Sequence, residues 1–382
     1  MITRIHLITL FSLIAAVSWL PAQQRDAILE RFPATDLNGD GKLSDEEFRA
    51  FDEKRQAVMA KRNPEADKDK NGKVDRAEFL AFMKTRGNQP QTPQRKNAGR
   101  PEPTHADIAY GDHPQQKFDL WLAKPAVEGE PTPLCIFIHG GGFRSGSKNQ
   151  AQGRVIQRFL DKGISYAALD YRLTNDGEFA YPVPMLDSAR GLQTIRSRAA
   201  EWNIDPEKIA CHGGSAGAGI SLWLGFRDDM ADPDSEDPIS RQSTRIVAAA
   251  TGNGQSTYDM RTIREWFGVA DLPFEDALIP FYNLQEGETA DTPRVVKLAE
   301  DAASINHLTK DDIPVYMTYS RPNTKVEVDT PKMVWIHHPM FGLKLQEAMQ
   351  KLDLECVVVL PGQTPEKYRT AEDFLIEKLL AK

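Results

Sequence analysis

Cysteine is scarce, with three in 382 residues, and a fold stapled by disulfides is therefore excluded. Cys135, Cys211 and Cys356 each sit in an apolar, strand-like run, where thiols behave as small buried hydrophobes. Basic charge is in deficit as well: 47 Lys and Arg stand against 55 Asp and Glu, a net charge of −8. That balance excludes nucleic acid or an anionic membrane as the main partner, because phosphate-rich surfaces demand a basic excess. No run beyond residue 22 is apolar enough to span a bilayer, which takes ~20 such residues. Enough remains for a large core, since hydrophobic residues make up 40% of the chain and aromatics 8%, and global disorder is excluded too.

The first 22 residues join an early positive charge, Arg4, to an apolar run from Ile5 to Leu20 and a small residue, Ala22, before Gln23. Those are the parts of a signal peptide. The expected address is secreted or periplasmic, with no membrane span after cleavage. Residues 23–86 read as short helices around two acidic loops. Residues 87–104 hold four prolines and one apolar residue, an Ala, the composition of a solvated linker. From about residue 105 to 382, strands alternate with helices. Strands are predicted at 117–123, 134–139, 164–170, 209–213, 246–251, 315–319 and 356–360. Helices are predicted at 150–162, 185–202, 216–226, 341–352 and 365–380. The pattern implies an α/β fold with a doubly wound, mostly parallel sheet covered on both faces, preceded by a small all-α module. Residues 252–312 break the rhythm and read as an insertion near the functional edge of the sheet. Its Trp266, Phe267, Phe274, Phe281 and Tyr282 fit either a substrate pocket or a private core.

The two acidic loops carry a metal-binding spacing. In the first, Asp36, Asn38 and Asp40 stand at positions one, three and five, Gly41 at six, Lys42 at seven and Glu47 at twelve. The second repeats the pattern with Asp67, Asp69, Asn71, Gly72, Lys73 and Glu78. Three side-chain oxygens, the carbonyl at position seven and a bidentate Glu supply the oxygen shell of Ca²⁺, while Gly permits the sharp turn. Two tandem matches predict an EF-hand pair with two Ca²⁺ sites. Leu43 and Val74 occupy the eighth positions, where paired loops touch. Extracellular hands bind at roughly 10⁻⁴–10⁻³ M, which suits a module that is structural or that docks a protein.

A nucleophile signal stands at Gly213-Gly214-Ser215-Ala216-Gly217, between a strand and a helix. This is the context in which G-x-S-x-G forms a strained elbow presenting a serine. His139-Gly140-Gly141-Gly142 follows an earlier strand, and amides of Gly141, Gly142 and Ala216 are the expected oxyanion donors. One such donor is worth ~3–4 kcal/mol in the transition state.

Together with Leu134–Phe143, Ala168–Leu173 and Asp205–Gly217, these residues resemble the α/β-hydrolase superfamily. The likeness is to hormone-sensitive-lipase-like and polysaccharide-deacetylating esterases. It extends over residues 105–382, strongly as far as Phe226. The resemblance implies hydrolysis of carboxylic esters through an acyl-enzyme, with no cofactor for the chemistry and with His139 as a structural loop residue. Small-molecule or carbohydrate esters would be the substrates.

The resemblance also implies an acid after the 315–319 strand and a histidine after the last strand. Here the chain reads Ser320-Arg321-Pro322-Asn323 in the first place and Pro361-Gly362-Gln363-Thr364-Pro365 in the second, and no histidine follows His338. Three readings stand. His337 or His338 has moved into the role, oriented by Asp329 or another carboxylate, with His338 favoured because the following Pro extends its backbone. Alternatively the pair merely anchors a loop. In the third reading Ser215 has no base, and the domain is a degenerate hydrolase that binds or docks. His212 is expected beneath the elbow and His307 in a structural role.

Overall fold

The computed structural model describes residues 38, 40–62, 64–75, 78 and 99–381 apart from 366. Residues 1–22, Asp36 and residues 87–98 of the linker lie outside the described residues. The chain divides into two compact units, residues 1–96 and 97–382.

In the first unit, helix α1 (Asp45–Arg62) opens on Asp45, Glu46 and Glu47. Negative charge in the first turn complements the positive end of the helix dipole. Leu43 and Val74 are both buried, and the Val74 amide donates to the Gln56 carbonyl.

The second unit is built on an eight-stranded sheet of β1 (His105–Ala109), β2 (Lys117–Trp121), β3 (Thr132–Ile138), β4 (Ser165–Leu169), β5 (Ile204–Gly214), β6 (Ala249–Gly252), β7 (Val315–Thr318) and β8 (Cys356–Val359). Their spatial order is β1-β2-β4-β3-β5-β6-β7-β8. Pairings from β4 onward are parallel, while β1 with β2 and β2 with β4 are antiparallel. β1 was not expected from the sequence. Only Ile108 in it is even half-buried, so this edge strand has no hydrophobic alternation to announce it.

Both faces of the sheet are covered. Along β3, Leu134, Ile136 and Ile138 enter one core, and Cys135 enters the other. β4 repeats the split, with Ala167 and Leu169 on one side and Tyr166 and Ala168 on the other. Period-two side-chain direction does this, and each large apolar side chain so buried stabilises by ~1.5–3 kcal/mol. The first core is roofed by α3 (Val183–Ser197) and α4 (Ala216–Phe226), the second by α2 (Gly153–Leu160) and α10 (Ala371–Leu380). Helix α10 starts later than the predicted 365, because Thr370 caps it by accepting the Asp373 amide at 3.1 Å. Cys135 and Cys211 are buried and Cys356 nearly so. Burial pushes the Cys211 and Cys356 thiols up to about 12.

Residues 252–312 contribute α5 (Met260–Phe267), α6 (Leu278–Phe281) and α7 (Pro293–Ala302). Phe281 and Tyr282 are fully buried in the first core, and Trp266, Phe267 and Phe274 pack against it. The aromatics of this insertion are therefore core. α8 (Lys332–Trp335) and α9 (Met340–Gln350) follow β7.

Candidate active site and calcium loops

Ser215 stands between the end of β5 and the start of α4 with φ 51° and ψ −119°. A non-glycine residue there is strained, and the surroundings enforce it. The Ser215 amide donates to the Gly252 carbonyl at 3.0 Å, and its carbonyl accepts the Gly219 amide at 3.1 Å. Crowding explains the flanking glycines. A Cβ on Gly217 would lie 2.1 Å from the Ile138 carbonyl oxygen, and one on Gly213 would lie 2.4 Å from the same atom. β5 thus lies tight against the end of β3, from which the glycine loop departs.

In that loop, Gly142 lines the cleft beside Ser215 and Ala216. Gly141 sits in a turn, φ 121°, where its carbonyl accepts the Arg144 and Ser145 amides at 3.1 and 3.2 Å. His139 is buried, stacks on Tyr171 with centroids 4.2 Å apart, and bonds through Nδ1 to the Gly140 carbonyl at 2.9 Å. Burial holds its pKa down to about 4. The Tyr171 hydroxyl donates to the His139 carbonyl at 2.9 Å, and Arg172 makes a two-pronged pair with buried Asp187. The loop is held from behind by these contacts and contributes no base.

The imidazole that reaches the serine is that of His337: its Nε2 lies 3.0 Å from Ser215 Oγ. His338, which the following proline had favoured, turns the other way. Its Nε2 meets the Thr324 carbonyl at 2.8 Å and its Nδ1 accepts the Met340 amide at 3.0 Å. Pro339 here occupies the N-cap of α9, with φ −60° and ψ −17°. The backbone is turning into a helix at this point and does not project His338 outward. His338 is a loop anchor.

Asp329 does not orient the base. It is exposed, and among the described residues no carboxylate hydrogen-bonds His337. The main-chain group that acts on it is the Met333 carbonyl in α8, four residues earlier, whose influence raises the His337 pKa. A carbonyl only accepts, so the tautomer it favours is Nδ1–H, which leaves the Nε2 that faces Ser215 Oγ able to take a proton. Burial pushes the His337 pKa below its ordinary value, the Met333 bond opposes this, and the Arg321 cation adds to the lowering. No side-chain pattern in the sequence signals this arrangement, because every residue carries a carbonyl. The only hint is the i, i+4 spacing of Met333 and His337.

Ser215 opens into a cleft. Its apolar lining includes Phe143, Ile263, Leu278, Trp335 and Phe341, and its polar lining includes Gln255, Thr257 and Glu275. The Gln255 amide holds the Ile336 carbonyl and so steadies the segment that carries His337. The insertion supplies Gln255, Thr257, Ile263, Glu275 and Leu278 to this wall. Of the aromatics for which the sequence leaves pocket and core both open, Trp266, Phe267, Phe274, Phe281 and Tyr282, none lines this cleft. His212 and His307 are structural in their contacts. His212 is half-buried and bonds the Tyr166 hydroxyl at 2.7 Å, and His307 meets the Asp301 carbonyl at 2.7 Å.

In the second acidic loop, carboxylate oxygens of Asp67, Asp69 and Glu78 lie within 4.8 Å of one another. Amides of Asn71 and Gly72 donate to Asp67 at 3.1 and 2.9 Å, and Gly72 adopts φ 81°. Glu78 accepts the Lys68 amide at 2.7 Å, which folds position twelve back over the loop. This donor set fits a hard cation with oxygen ligands, for which Asn71 and the Lys73 carbonyl would complete the shell. Of the first loop, Asn38, Asp40, Lys42 and Glu47 are described. The Asp40 amide donates to Asn38 Oδ1 at 2.9 Å, the Lys42 amide to Asp40 Oδ1 at 2.8 Å and the Asn38 amide to Glu47 Oε1 at 3.3 Å.

A family model described as BD-FAE matches residues 119–336, and one described as EF hand matches residues 30–52 and 65–83. The chain is 24% identical over 223 residues to a probable carboxylic ester hydrolase, LipM, of Mycobacterium tuberculosis, which covers 58% of this chain and 48% of that one. A probable isoprenylcysteine α-carbonyl methylesterase of Arabidopsis thaliana is 31% identical over 142 residues, covering 37% of this chain and 29% of that one. The chain thus spans about half or less of the length of these curated relatives. A truncated carbohydrate esterase from gut microbiota superposes with a TM-score of 0.55 at 17% identity, over 74% of this chain and 99% of that one. An esterase of Thermogutta terrifontis does so with 0.50 at 20% identity, over 75% and 90%. These two likenesses speak to fold.

Proposed function

Since the chain belongs to the BD-FAE family of α/β-hydrolases, we propose that it is a serine esterase of short-chain carboxylic esters, acetylated carbohydrate among them. Residues 1–22 export it, and the EF-hand pair binds calcium as a structural element without gating the hydrolase. The observation that carries the reading is the 3.0 Å contact between His337 Nε2 and Ser215 Oγ at a strained elbow.

The chemistry follows from that contact. Ser215 Oγ attacks the ester carbonyl as His337 Nε2 takes its proton. Charge on the carbonyl oxygen is met by the amides of Gly141, Gly142 and Ala216, at the positive end of α4. The imidazolium then protonates the departing alcohol, and a water activated by the same ring releases the acid. Met333 fixes the tautomer throughout. It cannot neutralise the imidazolium as a carboxylate would, so turnover is slower than in a triad with an acid.

That missing acid favours a second reading, a degenerate hydrolase that binds its ligand without turnover. A fluorophosphonate probe separates the two. Covalent labelling at Ser215, lost in Ser215→Ala together with p-nitrophenyl acetate hydrolysis, supports the esterase. A wild-type serine that is not labelled leaves only binding.

A further inference from the structure

One polar group in the cleft has no task in the reaction just described. Glu275 lines the same cavity as Ser215. One of its oxygens, Oε1, accepts the Ala277 amide at 3.2 Å. The other, Oε2, is buried with no hydrogen-bond partner among the described residues. Of the other lining residues, Ala277, Leu278 and Ile263 carry no side-chain donor, and none of those that do, Gln255, Thr257, Tyr258 and Trp335, bonds this oxygen. A buried carboxylate oxygen without a donor is costly, and binding sites keep such groups for the ligand that completes them. Burial raises the Glu275 pKa, while the Lys332 and Arg144 cations nearby act against that. Lys332 is already paired with Asp276 and leaves Glu275 Oε2 unmet.

We infer that Glu275 is a specificity-determining residue, accepting a hydrogen bond from a free hydroxyl of the ester substrate within the cleft. This inference rests on the esterase reading and narrows its substrate class to esters of polyols or sugars that retain unesterified hydroxyls. The surroundings of this carboxyl already hold charge of both signs, Lys332 paired with Asp276 and Arg144 beside them, and a neutral hydroxyl is the donor that fits there. The pocket wall is mostly apolar, and a buried acceptor left unmet discriminates between a substrate that donates to it and one that does not.

The test uses the full-length protein and two substrates, a monoacetylated methyl xyloside with free hydroxyls and its peracetylated counterpart. Wild type is expected to favour the monoacetate by about tenfold or more in kcat/KM. In Glu275→Leu that ratio falls by about tenfold, chiefly through KM, and Glu275→Gln, which keeps an acceptor oxygen, restores most of it. A wild-type enzyme without preference overturns the inference, even if the variants do not fold. An unchanged ratio in folded Glu275→Leu overturns it as well. In either case labelling of Ser215 shows that the esterase reading survives. Absence of both labelling and turnover in wild type sinks the two together.

Discussion

Replacing His337 with Ala removes the only imidazole among the described residues that hydrogen-bonds Ser215 Oγ, 3.0 Å away. General base catalysis contributes ~10²–10⁴-fold, and losing the histidine of a complete triad costs more, ~10⁶-fold. This site lies between those limits. In triads, changing the acid to its amide costs ~10⁴-fold largely by imposing the wrong tautomer. Here the Met333 carbonyl favours the right tautomer, and the stabilisation of the imidazolium by a carboxylate is absent. His337→Ala is therefore expected to lower kcat/KM for p-nitrophenyl acetate by ~10³–10⁵-fold at pH 8, where the wild-type ring is neutral. His338→Ala is the control. It strips the Thr324 carbonyl and the Met340 amide of their partner and costs ~1–3 kcal/mol of stability, but turnover per folded molecule stays within a few-fold. Asp329→Asn likewise leaves the rate unaltered. Rates measured alongside urea unfolding of each variant decide the matter. If His338→Ala loses as much activity as His337→Ala, or if His337→Ala keeps a tenth of the wild-type rate, the assignment of the base is wrong.

Three further outcomes are expected. His337 must be neutral to act, so kcat/KM rises with pH through its pKa, and burial and Arg321 place that acid limb below the ordinary 6.5. Arg321→Gln should move the limb upward by a few tenths of a pH unit in low salt, an effect that 1 M salt erases; a wild-type limb above 6.5 would contradict the geometry. His139 and His212 are held near 4, so the unfolded chain takes up more protons than the folded one as pH falls below 6.5. Their contribution to stability is complete above that value and is lost towards pH 4, by up to ~3 kcal/mol each. Their ring proton NMR shifts should stay flat from pH 7 to 5, and a midpoint near 6.5 in either would refute the burial argument. Calcium at 2 mM on sites of ~10⁻⁴ M stabilises the first unit by ~2 kcal/mol per site. In a calorimetric scan of the full chain, EGTA should lower one transition and leave both the other transition and the esterase rate in place. Glu78→Gln should remove about half of that shift, and a scan indifferent to EGTA would refute the calcium assignment.

How far the sequence could be read depended on whether a constraint leaves a mark in residue identity. Helix α4 begins and ends where the sequence placed it, at Ala216 and Phe226, because the glycines of the elbow are dictated by contact with the Ile138 carbonyl. Parallel strands buried on both faces announced themselves as apolar runs. β1 did not, since an exposed edge strand held by main-chain bonds needs no particular side chains. The base falls between these cases. That a histidine had left its usual place, and that His337 or His338 stood in the loop after β7, was legible in the chain. Choosing between adjacent residues was not, because neighbours on a turn entering a helix diverge by an angle set by the tertiary path. The argument from Pro339 failed for that reason: it assumed an extended chain at His338, where Pro339 instead caps α9. What replaced the acid was least legible of all, because a carbonyl has no letter. One physical consequence follows from that replacement. Base and orienter both belong to the segment from Met333 to His337, with Gln255 bracing the Ile336 carbonyl from outside. The geometry that a triad draws from two separate loops is here set by a single helical turn, so this segment should tolerate side-chain changes at its exposed positions but not a one-residue insertion between Met333 and His337.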